Sequence, residues 1–303
     1  MMQVPNTARL MNISRRFLCL IVLLPALSCS DPEANNIITI KGSTTVLPVA
    51  QIGAEVFMDR HPGADISVQG GGSGVGIASL IDGTTQIATS SRKIKKEETA
   101  KAKAAGVHPF ETIVAMDGIA VAVNPSNSMD RLTTPQIRDI YTGKVSNWKE
   151  IGGDDREIVV ISRDTSSGTF EAFEKLALDG QKVRPDALVT ASNQVVNMTV
   201  AQTPGAIGYL GYGYLSDRVR AASVDGVRCS EETIRSGRYP LARPLYIYTN
   251  GRPTGEVERF IDFLLSEEGQ RLVKEQGFIS ARERSLWREY PCIFPEEKYR
   301  KAA

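Results

Sequence analysis

The sequence predicts an α/β fold, and three observations predict it. Short apolar runs of strand length alternate with segments whose apolar residues recur at helical spacing. The strand-like runs end in clusters of glycine, serine and threonine, the chemistry of tight strand-to-helix turns. The 303 residues, 42% apolar and 23% charged, supply enough length for two domains.

The elements follow in order. Ile37–Ile40 reads as a strand that ends at Gly42-Ser43-Thr44-Thr45. Val49, Ile52, Val56 and Phe57 repeat at helical spacing behind it, with Pro48 suited to a first helical turn. A second strand, Asp65–Gln69, runs into Gly70-Gly71-Gly72-Ser73-Gly74, and Ile77, Leu80 and Ile81 mark the next helix. A third strand, Gln86–Ala88, ends at Thr89-Ser90-Ser91-Arg92. Lys93 to Lys103 is a charge run that reads as a solvated helix. Gly118–Val123 is a strongly apolar strand ending at Asn124-Pro125-Ser126-Asn127, and Pro135–Tyr141 turns helical. Ile158–Ile161 is a further strand. Beyond it Phe170, Phe173, Leu176 and Ala177 predict a helix that starts near Ser167. Gly205–Leu210 and Leu245–Tyr248 are late strands; Glu256–Leu265 and Gln270–Glu275 are late helices. The C-terminal segment with Trp287, Tyr290 and Cys292 has no pattern, and no internal repeat or low-complexity block occurs.

The first residues read as an export signal. Arg9, Arg15 and Arg16 precede the apolar run Phe17–Leu27, which is shorter than the roughly 20 residues a bilayer span needs. Ala26-Leu27-Ser28-Cys29 predicts lipoprotein cleavage, with Cys29 lipidated and the protein anchored outside the cytoplasmic membrane; a plain cleaved signal is the alternative. Residues 1–28 are thus the signal peptide and 29–36 a polar tether. Of four cysteines, Cys229 and Cys292 remain in the exported chain, either bridged or as two free thiols.

Net charge is +1, from 36 basic and 35 acidic residues, so no nucleic-acid surface is expected and any positive site must be made locally. Ser162-Arg163-Asp164-Thr165-Ser166-Ser167-Gly168-Thr169-Phe170 makes one. A helix start offers unpaired N–H groups and partial positive charge. Arg163 adds a planar fork that matches an oxyanion, and the hydroxyls add donors. An ordinary N-capped helix beside a solvated arginine is the bland alternative. Three strand-to-helix junctions carry the same chemistry: Ser43-Thr44-Thr45, Ser73-Gly74 and Ser167-Gly168-Thr169. In open α/β sheets such turns share the carboxyl edge where ligands sit. Arg163 and Arg92 supply charge, and Ser91 adds a hydroxyl. A helix terminus contributes ~0.3–1 kcal/mol toward an anion and each charge-assisted hydrogen bond roughly 1.5–3. Several such terms reach the ~8 kcal/mol of a micromolar complex if the cleft is closed and dry.

Other chemistries find no support. Val75 stands where a G-x-S-x-G motif needs its last glycine, and neither G-x-G-x-x-G nor a phosphate-loop motif occurs at these turns. His61 and His108, the only histidines, read as surface or loop-edge residues, and no metal or cofactor is expected. Tyr209, Tyr212 and Tyr214 read as packing residues.

From Ile37 to Ile279 the chain resembles a known family. The segments that carry the likeness are Lys41-Gly42-Ser43-Thr44-Thr45-Val46, Gln69 to Gly76, Ala88-Thr89-Ser90-Ser91-Arg92, Asp117 to Pro125, Ile140 to Trp148, Arg163 to Thr169 and Gln202 to Tyr209. It is similar to the phosphate-binding components of phosphate ABC transporters, the PstS-like group of type 2 periplasmic binding proteins. The resemblance implies two α/β domains joined by two crossover strands, with phosphate sealed in a cleft between them. Residues 37–122 and 245–280 would form domain one, 123–244 domain two, and 281–303 a C-terminal tail. It implies ligand roles for Thr44, Ser73, Arg163, Ser167, Gly168 and Thr169, and the turns themselves add Ser43, Thr45, Gly74, Ser91 and Arg92 as candidate ligands. It also implies delivery to an ABC permease and ATPase in the periplasm or at the cell surface, with no enzymatic step. One departure is visible. Some members place an aspartate in the third loop to accept a proton from phosphate, where this chain has Ser90-Ser91-Arg92. Sulfate or another tetrahedral oxyanion, or a phosphate-linked sensor or adhesin, are the competing functions. A phosphatase would need a general base that the sequence lacks.

Overall fold

A single hydrogen-bonded path of strands organises residues 37–282, which the computed structural model describes. The chain runs β1 (Ile38–Gly42), α1 (Leu47–Arg60), β2 (Ile66–Gln69), α2 (Ser73–Ile81), β3 (Ile87–Ser90), α3 (Lys96–Ala104) and β4 (Pro109–Val123). There follow β5 (Arg131–Leu132), α4 (Thr134–Tyr141), β6 (Val159–Arg163), α5 (Gly168–Ala177), β7 (Leu188–Thr190), α6 (Asn193–Gln202) and β8 (Ala206–Gly211). The last elements are β9 (Arg220–Val224), α7 (Glu231–Arg235), β10 (Ala242–Asn250), α8 (Gly255–Leu265), α9 (Glu267–Glu275) and β11 (Ile279–Ser280). The strand order is β2-β1-β3-β10-β4-β8-β6-β7.

The first half of this path has the connectivity that β-α-β sequence alternation demands. β2 and β3 flank β1 in parallel, with α1 and α2 as crossovers, and β10 closes the group antiparallel to β3. Ile38 and Ile40 of β1 pack with Phe57 of α1 and with Phe260 and Leu264 of α8 in one apolar core. The second half repeats the logic: β6 lies parallel to both β7 and β8.

β4 joins the halves. Its residues up to Gly118 pair with β10, and Ile119 to Val123 pair with β8 and β9. Its run from Val114 to Val123 is buried throughout, as expected of a strand covered on both faces. The chain returns beside the same point, where the Ile119 N–H donates to Leu241 O (2.9 Å) and Ala242 opens β10. Thus the sheet partners change at Gly118–Ile119 and the path comes back at Leu241–Ala242.

Sequence patterning marks most elements but shortens some. Gly118–Val123 is only the second part of β4, because the first part, with polar Glu111 and Thr112 among its residues, breaks the apolar run. The charge run contains α3, whose Glu98 side chain accepts from the Lys95 N–H at the helix start (2.8 Å). Leu176 belongs to the expected apolar stripe of α5 yet is 38% exposed, whereas Phe173 and Ala177 are buried. α6 and β9 are not evident in the sequence patterning. α6 carries its signal in Ser192, whose Oγ accepts from the Val195 N–H (3.2 Å), and in buried Val196 and Val200 one turn apart. No helix among the described residues is long and apolar enough to cross a membrane. Cys29 and the expected signal and tether lie outside the described residues, as does Cys292. Cys229 is buried and unbridged among the described residues.

Candidate functional site

Four strand ends deliver the polar residues. β1 ends into Ser43-Thr44-Thr45, β2 into the turn before Ser73, β3 into Ser91-Arg92, and β6 on Arg163. Ser43, Thr45, Ser73, Ser91, Arg163, Ser167 and Thr169 are each no more than 2% exposed. So many buried polar groups stand only where they find partners.

The turns touch each other directly. Thr45 Oγ1 and Thr169 Oγ1 lie 3.0 Å apart across the two halves of the sheet path. Ser73 Oγ accepts from the Ser91 N–H at 3.0 Å, and its hydroxyl is 3.4 Å from that of Ser91. Arg163 Nη2 donates to Thr44 Oγ1 at 3.2 Å. Ser166 Oγ donates to Gly71 O at 2.9 Å and also contacts Asp164 Oδ1. Gly168 sits so close to α2 that a Cβ there would overlap Ser73 Oγ and lie 2.8 Å from Ser91 Oγ. A residue without a side chain is required at that approach.

Ser43 and Ser167 serve the helix starts. Ser43 Oγ accepts from the Thr45 and Val46 N–H groups (3.1 and 3.3 Å), and Ser167 caps α5 by accepting from the Phe170 N–H (3.3 Å). The expected start of that helix at Ser167 therefore coincides with its N-cap.

Arg163 is the charged centre of the cluster. Nε donates to Thr190 O (3.2 Å) and Nη2 to Ala191 O (2.9 Å), which fix the guanidinium plane. Nη1 is buried and donates to nothing among the described residues. Asp164 Oδ2 stands 3.8 Å from Nη2, beyond hydrogen-bond reach. Burial pulls the Arg163 pKa below its ordinary value, against the opposing charge of Asp164. A cation in that state gains from an anion placed at its free nitrogen.

Two expected site residues are placed differently. Arg92 gives its fork to Glu98, at 2.7 Å from Nη1 and 2.6 Å from Nη2, and its Nε lies 2.6 Å from Glu171 Oε2. Lys95 Nζ meets the same Glu171 oxygen at 2.8 Å. Although burial works against it, these carboxylates hold the Arg92 pKa above its ordinary value. Its charge is neutralised within the protein, so it is not an open anion ligand here. Gly74 likewise gives its N–H to Ser166 O (3.0 Å) because the turn before α5 folds onto the start of α2. The Gly74 amide thus closes the two halves together.

Two residues at the site escape sequence reasoning. Arg243, at the start of β10, is 4% exposed and forks onto Asp117 Oδ2 of β4 (Nε 3.0 Å, Nη2 2.8 Å). Its Nη1 reaches Ser91 O (3.1 Å) and its Nη2 Thr169 Oγ1 (3.0 Å). Burial pushes the Asp117 carboxyl up and the Arg243 guanidinium down, and their contact opposes both shifts. Asn193, at the start of α6, donates from Nδ2 to Thr45 Oγ1 (3.0 Å) and accepts from the Gly211 N–H (3.2 Å). Arg243 signals itself only as a charge inside an apolar run, Leu241 to Tyr248, and Asn193 lies among polar neighbours that do not single it out.

Tyr209 packs as expected, stacked 3.9 Å from Phe173, but its hydroxyl also accepts from the Arg163 N–H (3.0 Å). Burial pushes its pKa up to about 12. Tyr214 donates to Thr44 O at 2.6 Å, so it supports the first turn. Tyr212 gives its backbone N–H to Asp117 Oδ1 (2.9 Å). His61 ends α1 against Phe57 and His108 lies exposed before β4, both outside the cluster.

Comparison with known proteins converges on one family. The profile described as the PBP superfamily domain matches residues 30–268. The phosphate-binding protein PstS of Bacillus subtilis is 38% identical over 261 residues, covering 86% of this chain and 85% of the relative. PstS of Borreliella burgdorferi is 32% identical, covering 84% of this chain and 94% of the relative. A substrate-binding protein of the phosphate ABC transporter type from Clostridium perfringens, solved with bound phosphate, superposes with TM-score 0.75 at 37% identity. That match covers 81% of this chain and 99% of the other. The chain belongs to the PBP superfamily and, within it, to the PstS group, and its fold is that of the two-domain type 2 binding proteins.

Proposed function

We propose that this chain is an extracytoplasmic binding protein that captures inorganic phosphate for an ABC importer and performs no covalent chemistry. Membership of the PstS group supports the importer context, since relatives of that name cover most of both chains. The observation that carries the ligand class is Arg163. It is a buried guanidinium that reaches Thr44 Oγ1 and keeps Nη1 free among the described residues, beside turns that also carry the hydroxyls of Thr45, Ser73, Ser91 and Thr169. A tetrahedral oxyanion presents oxygens in enough directions to meet a fork and several hydroxyls at once.

In this proposal Arg163 supplies the charge. Thr44, Thr45, Ser73, Ser91 and Thr169 supply hydroxyl donors, and Gly168 and Thr169 supply N–H groups at the start of α5. Ser43 and Ser167 hold their turns in shape. Residues 37–122 with 245–280 would act as one lobe and 123–244 as the other, closing over the anion as Ser166 meets Gly71 and Gly74. Cys29 would carry the lipid that keeps the protein at the membrane face.

Titration calorimetry with phosphate is the test. Micromolar or tighter binding by the wild type, weakened at least about a hundredfold by Arg163→Ala, is expected. No heat of binding at micromolar phosphate rejects the proposal. For the anchor, Cys29→Ser should move the protein from the membrane fraction to the soluble fraction; an unchanged distribution rejects lipidation at that residue.

A further inference from the structure

Thr45 and Thr169 meet where the turns of the two halves of the sheet path touch, and every proton of their hydroxyls can be followed. Thr45 Oγ1 accepts from Asn193 Nδ2 (3.0 Å), and Thr169 Oγ1 accepts from Arg243 Nη2 (3.0 Å). The two oxygens lie 3.0 Å apart, so one hydroxyl donates to the other. Both residues are 1% exposed, and no further group among the described residues hydrogen-bonds to either oxygen.

The sense of both nitrogen contacts is fixed. Asn193 is fully buried and its Oδ1 accepts from the Gly211 N–H (3.2 Å), so the amide nitrogen is the atom left for Thr45. Arg243 carries donors only. Two hydroxyls together hold two protons and four lone pairs. The nitrogen donors fill two lone pairs, and the mutual bond uses one proton and a third lone pair. One proton and one lone pair are left over. The proton sits on the threonine that accepts the mutual bond, and the lone pair on the threonine that donates it.

A buried donor beside a buried acceptor, both unspent, calls for a ligand that offers one of each. We propose that Thr45 and Thr169 form a donor–acceptor couple that reads the proton of the bound anion: one threonine accepts from the hydroxyl of hydrogen phosphate, and the other donates to a neighbouring unprotonated oxygen. Asn193 and Arg243 are the positioning residues that leave the couple with this one donor and one acceptor. The inference rests on the anion-binding function proposed above and deepens it, since one of the two hydroxyls counted there as donors serves as the acceptor. Reversing the mutual bond exchanges the two roles, so the couple receives the anion in either orientation. Sulfate brings no proton and sets an anionic oxygen against the free lone pair.

Three tetrahedral anions provide the test: phosphate, sulfate, and monofluorophosphate, in which fluorine replaces the hydroxyl. In mildly alkaline buffer all three are dianions, and only phosphate carries a proton. Calorimetry measures each, with weak binders read by displacement of phosphate. The wild type should bind phosphate at least about tenfold tighter than either proton-free anion. In the double variant Thr45→Val/Thr169→Val that preference should fall below about threefold, because phosphate loses its acceptor while the proton-free anions never used it. Equal affinities in the wild type, or a preference unchanged in the double variant, overturn the proposal.

Asp164→Asn decides the matter if the double variant does not fold. The Asp164 carboxylate, 3.8 Å from Arg163 Nη2, is the competing acceptor for a phosphate proton. The amide oxygen of the variant can still accept from the Ser166 N–H, so the turn keeps its shape. A preference for phosphate retained in this variant supports the threonine couple; a preference lost there assigns the proton to Asp164 and overturns the proposal. A wild type that binds none of the three anions is a different result: it rejects the phosphate function itself and the inference with it.

Discussion

Arg92 and Arg163 look alike in the sequence. Each stands at the carboxyl end of a strand, beside serines, ahead of a helical segment. Folding gives them opposite electrostatic states. Arg92 meets two carboxylates, Glu98 from its own side and Glu171 from α5, and its pKa rises. Arg163 meets backbone carbonyls and one hydroxyl, keeps Nη1 free, and its pKa falls because burial dominates. Two arginines of similar sequence setting thus differ in how closely carboxylates approach them. The first arginine fastens the protein to itself; the second has Asp164 only at 3.8 Å and keeps Nη1 without a partner among the described residues, the feature on which its proposed ligand role rests.

Substitution at Arg163 should produce the largest effect on binding. Arg163→Ala removes the guanidinium whose Nη1 has no partner among the described residues, and two lost charge-assisted hydrogen bonds at roughly 1.5–3 kcal/mol each imply at least about a hundredfold weaker phosphate binding. Arg163→Lys restores charge without the fork and should recover part of that loss, leaving about a tenfold deficit. Calorimetry on both variants checks the pair of values. Equal affinity for the Lys variant and the wild type would mean that planarity is irrelevant and that the comparison reduces to charge alone.

Arg92→Ala should invert the pattern. Glu98 and Glu171 are left with only Lys95 and backbone donors in a setting where their side chains are 20% and 13% exposed. Removing one partner of a mostly buried pair costs up to ~3–5 kcal/mol, and partial exposure lowers that toward ~1–2. The melting temperature of the ligand-free protein should therefore drop by several degrees, while phosphate affinity changes less than about threefold. A hundredfold loss of affinity without a change in melting would return Arg92 to the ligand set and break the contrast.

Much of this contrast was hidden in the chain. The turns themselves were legible, because Gly-Ser-Thr clusters at strand ends and the Ser167 cap are local signals that local physics enforces. Arg163 was legible for the same reason. The neutralisation of Arg92 was not, since Glu171 lies far along the chain on a different helix and nothing in its neighbourhood marks the pairing. Arg243 and Asn193 were invisible on similar grounds. Arg243 acts through Asp117 on a strand more than a hundred residues away. Asn193 starts a helix whose apolar residues fall on exposed as well as buried faces, Val195 and Met198 outward and Val196 and Val200 inward, so no single stripe announces it. Long-range polar pairs leave no periodic trace, whereas amphipathic elements do.

Gly168 tests the approach of the two regions rather than their charge. Alanine at the first position of α5 is locally favourable to the helix, but its Cβ would overlap buried Ser73 and crowd Ser91 Oγ, so the ligand-free protein should melt below the wild type. The same overlap holds the turn before α5 off the start of α2. Phosphate affinity should fall about tenfold through faster release, as an imperfectly closed cleft readmits water. Stopped-flow release of phosphate separates this from a loss of capture. A variant that binds as tightly as the wild type would show that the contact between the turns is incidental to retention.

The smallest expected effect is the acid response of the Arg92 fastening. Burial works to raise the Glu98 pKa, but the Arg92 fork and the Lys95 N–H outweigh it and hold the carboxyl below its ordinary 4.5. The folded state therefore binds this proton less readily than the unfolded chain does. The stabilisation from Glu98 is complete above about pH 4.5 and is lost as the pH falls through the depressed folded value. Glu98→Gln abolishes that titration. Its melting temperature should lie below that of the wild type at neutral pH, and the gap should narrow as the solution is acidified past pH 4.5. A gap that stays constant with pH would mean that Glu98 contributes by shape or helix capping alone, and that the charge on Arg92 is neutralised by Glu171 and not by the carboxylate nearest to it in sequence.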